Sequence, residues 1–127
     1  MYLGSFKTEL TPMGILIPPR ECKLFRFPKK LKVRVCPNLD TCFSCFDASA
    51  YDSFVVKNTH SQLPIIMSEA VFNGEHIKFK KEDLEMIRLG QSKEREVLII
   101  GQEKSFEVWS FQEWLKLIGM PSEESNI

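Results

Sequence analysis

What the chain lacks narrows its reading first. No stretch approaches the ~18 uninterrupted apolar residues that a membrane-spanning helix needs, and residues 1–10 show neither a basic start nor a signal-peptide apolar run. These absences predict a soluble intracellular protein. Histidine is scarce: His60 and His76 fall in a connector and a turn with no acidic or nucleophilic partner at motif spacing. Neither a glycine-rich phosphate loop nor an HExxH motif occurs. No enzyme, cofactor or small-molecule substrate is therefore expected.

Cysteine is also sparse. Cys22, Cys36, Cys42 and Cys45, without a secretory signal, are expected as reduced thiols. Four thiolates would suffice for zinc, but Cys42 and Cys45 lie three apart on a predicted strand, Thr41–Phe46, and so face opposite ways. No second CxxC completes a paired-knuckle pattern. No metal is predicted, and the thiols are read as small core residues.

Net charge is zero, yet its distribution is uneven. Residues 1–64 carry nine Lys/Arg against five Asp/Glu, and the remainder eight against twelve. The excess concentrates in Arg20, Lys23, Arg26, Lys29, Lys30, Lys32 and Arg34, opposed only by Glu21. Such a run is either a phosphate-facing patch or a solvated face, or it attracts the acidic half of a neighbouring subunit.

What the chain has is self-similarity. Residues 33–54 (VRVCPNLDTCFSCFDASAYDSF) and 97–117 (VLIIGQEKSFEVWSFQEWLKL) share one order: apolar strand, polar turn, alternating aromatic strand, capped helix with an inward aromatic. A period of roughly 63 residues is too long for a solenoid and reads as two copies of a small unit unable to bury its core alone. With 43% hydrophobic residues the whole chain can bury one.

The first copy begins with a half-buried strand over Tyr2–Leu10, a turn at Thr11–Gly14 and an extended Ile15–Ile17. Pro18 and Pro19 suit a short helix or irregular link. Leu31–Cys36 and Thr41–Phe46 form a second hairpin, after which Asp47 caps a helix with Tyr51, Phe54 and Val55 on its apolar side. In the second copy, Ile65–Phe72 and Ile77–Phe79 flank an Asn73-Gly74 turn. A helix over Glu82–Leu89 is stopped by Gly90. Ser110 and Glu113 make a capping box ahead of Phe111, Trp114, Leu115 and Ile118. The order is hairpin, helix, hairpin, helix, repeated. The predicted division is 1–57 for one unit, 58–64 for a polar connector, 65–119 for the second unit and 120–127 for a frayed tail.

These residues resemble the MraZ family, bacterial regulators built from two tandem SpoVT/AbrB-like units. The likeness covers nearly the whole chain. Leu10-Thr11-Pro12-Met13-Gly14-Ile15-Leu16-Ile17-Pro18-Pro19 occupies the place of the family's DxKGRxxxP-like turn. Asn38-Leu39-Asp40-Thr41-Cys42-Phe43 with Phe46 and Tyr51 is similar to its G-L-D-x-C-L-x-x-Y string. Val97-Leu98-Ile99-Ile100-Gly101-Gln102, then Phe106-Glu107-Val108-Trp109 and Trp114, resembles V-x-L-x-G-x...F-E-[IVL]-W...W, the most specific match. The resemblance implies a mainly β fold with short helices (α+β), in which two AbrB-like swapped-hairpin units form a pseudo-two-fold domain. It further implies a cytoplasmic, nucleoid-associated DNA-binding transcriptional regulator, acting as a ring-like homo-oligomer on repeated boxes near the division and cell-wall genes. That arrangement gains affinity through effective concentration.

The family's DNA-contacting DxxxR turn is altered. The Asp positions hold Thr11 and Asn73, and the Arg positions Ile15 and Ile77, with Gly14 and Gly74 in the turns. Isoleucine offers neither phosphate pairing nor bidentate base readout. Thr11 and Asn73 can still hydrogen-bond within a turn. If duplex DNA is bound, Lys7, Arg20, Lys23, Lys78, Lys80 and Lys81 must substitute, giving weakened, mainly sequence-independent contact. The alternative is an oligomeric interaction protein that keeps the fold without sequence recognition, its apolar tip (Met13, Ile15) facing a partner. Phe106, Trp109, Phe111 and Trp114 are read as core rather than as a stacking platform for single strands.

Overall fold

Four hairpin-and-helix pairs follow one another along the chain, two in each half. The computed structural model describes residues 4–38, 42–57, 68–89, 95–102 and 104–119, with backbone alone at 37–38 and 53–57. The predicted connector, the tail, Gly90, His60 and the side chains of Phe54 and Val55 lie outside the described residues. The first half holds β1 (Ser5–Thr11), β2 (Gly14–Leu16), α1 (Pro19–Leu24), β3 (Leu31–Asn38), β4 (Cys42–Asp47) and α2 (Ala48–Lys57). The second holds β5 (Ser68–Phe72), β6 (His76–Lys78), α3 (Lys81–Met86), β7 (Glu96–Gly101), β8 (Ser105–Ser110) and α4 (Phe111–Leu117). The protein is mainly β, with short helices, and no described helix is long and apolar enough to cross a membrane.

The strands close a barrel in the order β1-β2-β6-β5-β3-β4-β8-β7. Every neighbouring pair is antiparallel, and among the described residues the two hairpins of one half never pair with each other. Instead β1 pairs with β7, placing Thr8 opposite Val97, and β5 pairs with β3, placing Ala70 opposite Val33. Exchanging β1–β4 for β5–β8 returns the same cyclic order. The barrel therefore has a pseudo-two-fold axis, which passes through two self-related pairs, Ile15–Ile77 and Ser44–Glu107.

Alternation along the strands fills the interior. Ile15, Val33, Val35, Phe43, Cys45, Ile77, Val97, Ile99, Phe106 and Val108 are all fully buried, as an eight-stranded barrel narrow enough to be packed by side chains requires. Phe27 ties the halves together, lying 4.9 Å from Phe72 and 5.6 Å from Phe106 between ring centroids. Beside this core Asp83 is buried in α3 and accepts a hydrogen bond from the Ser68 hydroxyl of β5, which docks the helix on the sheet.

The duplication extends to helix ends. Asp47 Oδ1 accepts from Ala50 N at 3.0 Å, and Ser110 Oγ accepts from Glu113 N at 3.4 Å. The residue before each cap packs on the fourth helical residue: Phe46 on Tyr51 at 5.6 Å, and Trp109 on Trp114 at 5.2 Å. Each is a hydrophobic staple that fixes how the chain enters its helix.

At α3 the sequence expectation needs correction, whereas α1 is the short proline-started helix expected. α3 ends at Met86, short of the predicted Leu89 and Gly90, because its closure is made earlier. Leu89 N donates to Leu84 O at 2.9 Å while Arg88 takes a left-handed conformation, φ 65°. α1 closes in the same way: Phe27 N donates to Cys22 O at 3.0 Å, and Arg26 has φ 55°. Both are Schellman closures with arginine where glycine is usual. The left-handed region disfavours a residue with a Cβ by ~1–2 kcal/mol, partly offset by the extra freedom glycine has when unfolded. Arg26→Gly is thus expected to raise stability by up to ~1 kcal/mol, read as a higher melting temperature, whereas Arg26→Val should lower it.

Candidate functional site

The first hairpin turn is built by Thr11. Its hydroxyl donates to Gly14 O at 2.9 Å and accepts from Met13 N at 3.1 Å, leaving Pro12 and Met13 at an exposed tip. Gly14 has φ +123°, and a Cβ there would lie 2.6 Å from the Ile77 carbonyl oxygen. Only glycine lets β2 approach β6 this closely. The second turn is closed equivalently by Asn73, whose Oδ1 accepts from Glu75 N at 3.1 Å and His76 N at 2.9 Å. Gly74 supplies the positive φ, +105°, and its nearest neighbour is the Lys29 carbonyl oxygen. Thr11 and Asn73 thus hold their turns by their own side chains.

Ile15 and Ile77 are not tip residues. They stand opposite each other across β2 and β6 and are both 0% exposed. The reading of Ile15 as part of an exposed apolar tip is corrected accordingly: after Gly14, the period-two alternation turns Ile15 and Ile17 inward. Neither isoleucine side chain can touch a ligand. Of the predicted pair Met13 and Ile15, only Met13 is exposed, at 63%.

The predicted cations divide. Lys78 is exposed on β6, with its backbone beneath Gly14. Lys81 lines a depression beside the first tip together with Thr11, Pro12, Glu85 and Arg95. The structure therefore gathers Thr11, Gly14, Lys78 and Lys81, and adds Arg95, with Glu85 as the opposing acid. Lys80 sits in a separate depression with Arg34, Asp52, Ser68 and Glu69. Lys7 is held by Glu96 at 2.7 Å and lies 4.7 Å over the Phe111 ring. Arg20 and Lys23 are exposed on α1, and no contact joins them to either tip among the described residues. Within the basic run, Arg34 is neutralised by Asp52 and Glu69.

Sequence reasoning placed Lys29 only in the basic run and not at the second tip, which its backbone adjoins, and it passed over Arg95, whose carbonyl accepts from Leu10 N at 2.7 Å. It also missed the matched pair Arg26 and Arg88. Their signal was a spacing of 62, the same that separates Ile15 from Ile77. Arg88 approaches Glu113 at 3.7 Å.

The thiols have a packing environment. Cys45 belongs to the interior cluster, whereas Cys36 and Cys42 are buried outside it, and none of the four cysteines is in a disulfide. Burial pushes the Cys36 thiol up to about 11 and the Cys42 thiol to about 12, the latter helped by Glu107. Cys45 is raised well above its ordinary value by burial. A protonated, buried thiol is a poor nucleophile and a poor metal ligand.

No protein-family model matches the chain, and no curated protein matches it.

Two measurements test this geometry. Ile15→Arg would bury an unpaired guanidinium and is expected to cost ~3–5 kcal/mol in denaturant unfolding. Adding Ile77→Arg would set like charges face to face and abolish folding. Rescue of DNA affinity by these variants in a fully folded protein would contradict the burial described. Secondly, the native state keeps thiol protons that an unfolded chain releases above pH ~9. This contribution is intact below pH ~9 and is lost as pH rises through ~9 to ~12. Denaturant melts at pH ~8 and ~10.5 should show lower stability at the higher value, and Cys36→Ser/Cys42→Ser should shrink the difference to the part that Cys45 contributes.

Proposed function

We propose that this protein is a DNA-binding transcriptional regulator resembling MraZ, built from two tandem AbrB-like swapped-hairpin units and working in the cytoplasm at the nucleoid. The single observation that carries this reading is the strand order: each half contributes two hairpins, and each hairpin pairs only with the other half. An exchange of hairpins between duplicated units is what the resemblance implies, and it supports the family reading beyond the quoted motifs. The ring-like homo-oligomer and the repeated boxes near division and cell-wall genes come from the resemblance alone.

The contact with duplex DNA is assigned to the first tip. Thr11, Pro12, Met13 and Gly14 present a turn flanked by Lys78, Lys81 and Arg95, a cationic rim that suits phosphate oxygens. With isoleucines in place of both turn arginines, the direct base readout that guanidinium would give is missing. Binding is then mainly electrostatic. Such contact releases counterions, so the logarithm of the affinity falls with the logarithm of salt by ~0.9 per phosphate neutralised. A slope of about −2 to −3 is expected for a duplex carrying the upstream boxes, and Lys81→Ala should reduce its magnitude by ~1 without altering sequence preference. A slope near zero would end the DNA reading.

A second reading has its own support. The buried Ile15–Ile77 pair and the exposed Met13 suit an oligomeric interaction protein that retains the fold and has lost sequence recognition. Under this reading the protein binds duplex no better at low salt than at high, and Met13→Asp disrupts a protein complex instead.

A further inference from the structure

We propose that the outer faces of α1 and α3 are complementary halves of one contact, through which a second copy of this chain docks. The pseudo-two-fold axis brings α1 onto α3 with a spacing of 62 residues. Pro18 and Lys80 cap the two helices in the same extended conformation, Phe25 and Ile87 are buried after them, and Arg26 and Arg88 turn left-handed. Arg20 therefore occupies the place of Glu82, Lys23 that of Glu85, and Leu24 that of Met86. All six side chains are exposed, including Leu24 at 47% and Met86 at 45%.

Each face presents its three side chains at i, i+3 and i+4, one patch on a helix surface. The patches share shape and differ in sign. On α1 two cations flank a leucine; on α3 two carboxylates flank a methionine, with Lys81 on the tip side of the row. None of the four charges makes an ion pair within the chain among the described residues. Leu24 and Met86 stand exposed at equivalent places in the two halves.

Charge selects which faces meet. α1 against α1, or α3 against α3, sets like charges together, so the faces reject their own kind and accept the unlike one. Each copy then has one donor face and one acceptor face, and docking α1 of one copy on α3 of another gives a two-fold dimer where both contacts form with one neighbour, or a ring or chain where they form with two. The apolar pair Leu24 and Met86 supplies the salt-independent part, while the ionic part weakens within the Debye length at higher salt. This contact deepens the oligomeric element of the proposed function and rests on it. It needs no DNA, so either can fail without the other.

The test is sedimentation velocity of the full chain without DNA, at low and high salt. Self-association is expected at low salt and should weaken with salt. Arg20→Glu/Lys23→Glu, and separately Glu82→Lys/Glu85→Lys, should each weaken it ~10-fold, equivalent to about 1.4 kcal/mol. Mixing the two variants should restore association, because each then offers faces that match the other's. The four-residue swap within one chain should restore it too, at unchanged net charge. Near-ultraviolet circular dichroism checks that the variants keep their packing. A wild-type chain that stays monomeric at low salt, or an oligomer indifferent to the reversals, would overturn the proposal, as would failure of the mixture to reassociate while both variants remain folded.

Discussion

The pairing of β2 with β6 closes the barrel, and it depends on an absent side chain. A Cβ at Gly14 would meet the Ile77 carbonyl at 2.6 Å. Without that close approach Ile15 and Ile77 do not come opposite each other, and the interior loses a pair that sits on its own symmetry axis. β2 and β6 are three residues each, so few ladder hydrogen bonds are available to compensate. The strands on either side, β1 and β5, are longer, and each pairs on its far side with a strand of the other half, β7 and β3. The core is therefore common property: Phe27 of the first half lies among Phe72 and Phe106 of the second, and neither half owns a closed set of apolar neighbours.

That shared core separates what duplication preserves from what it frees. Positions that bear on the barrel stay alike in both halves, as in the caps Asp47 and Ser110, the staples Phe46–Tyr51 and Trp109–Trp114, and the left-handed Arg26 and Arg88. Positions facing outward are released from that constraint and diverge, most clearly where Arg20 and Lys23 stand against Glu82 and Glu85. The zero net charge of the chain thus conceals a polar arrangement on a nearly symmetric frame. Function, on either reading, belongs to these outward positions and to the hairpin tips rather than to the interior.

Much of the frame was legible in the residues. Caps and turn formers act locally, so Asp47, Ser110, Asn73-Gly74 and the hairpin, helix, hairpin, helix order could be read without tertiary information. The site was less legible. Whether Ile15 faces out or in depends on the strand beginning at Gly14 and on Ile77, 62 residues away. The basic run from Arg20 to Arg34 reads as one patch, yet Asp52 and Glu69 reach Arg34 from other elements, and Lys7 is taken by Glu96 and Phe111. Arginine ends α1 and α3 in a conformation associated with glycine, so the nearest glycine, Gly90, misled the expected boundary. At Ile15, Arg34 and Lys7 a long-range contact overrode a local signal, whereas at α3 the closure is local and its residue unusual.

The central claim is that each hairpin pairs with hairpins of the other half, and cross-strand nuclear Overhauser effects in the labelled protein test it most directly. The account predicts contacts joining Phe6 to Ile99, Val33 to Ala70, and Ile15 to Ile77. Contacts joining β1 or β2 to β3 or β4 within one half, in place of these, would contradict it.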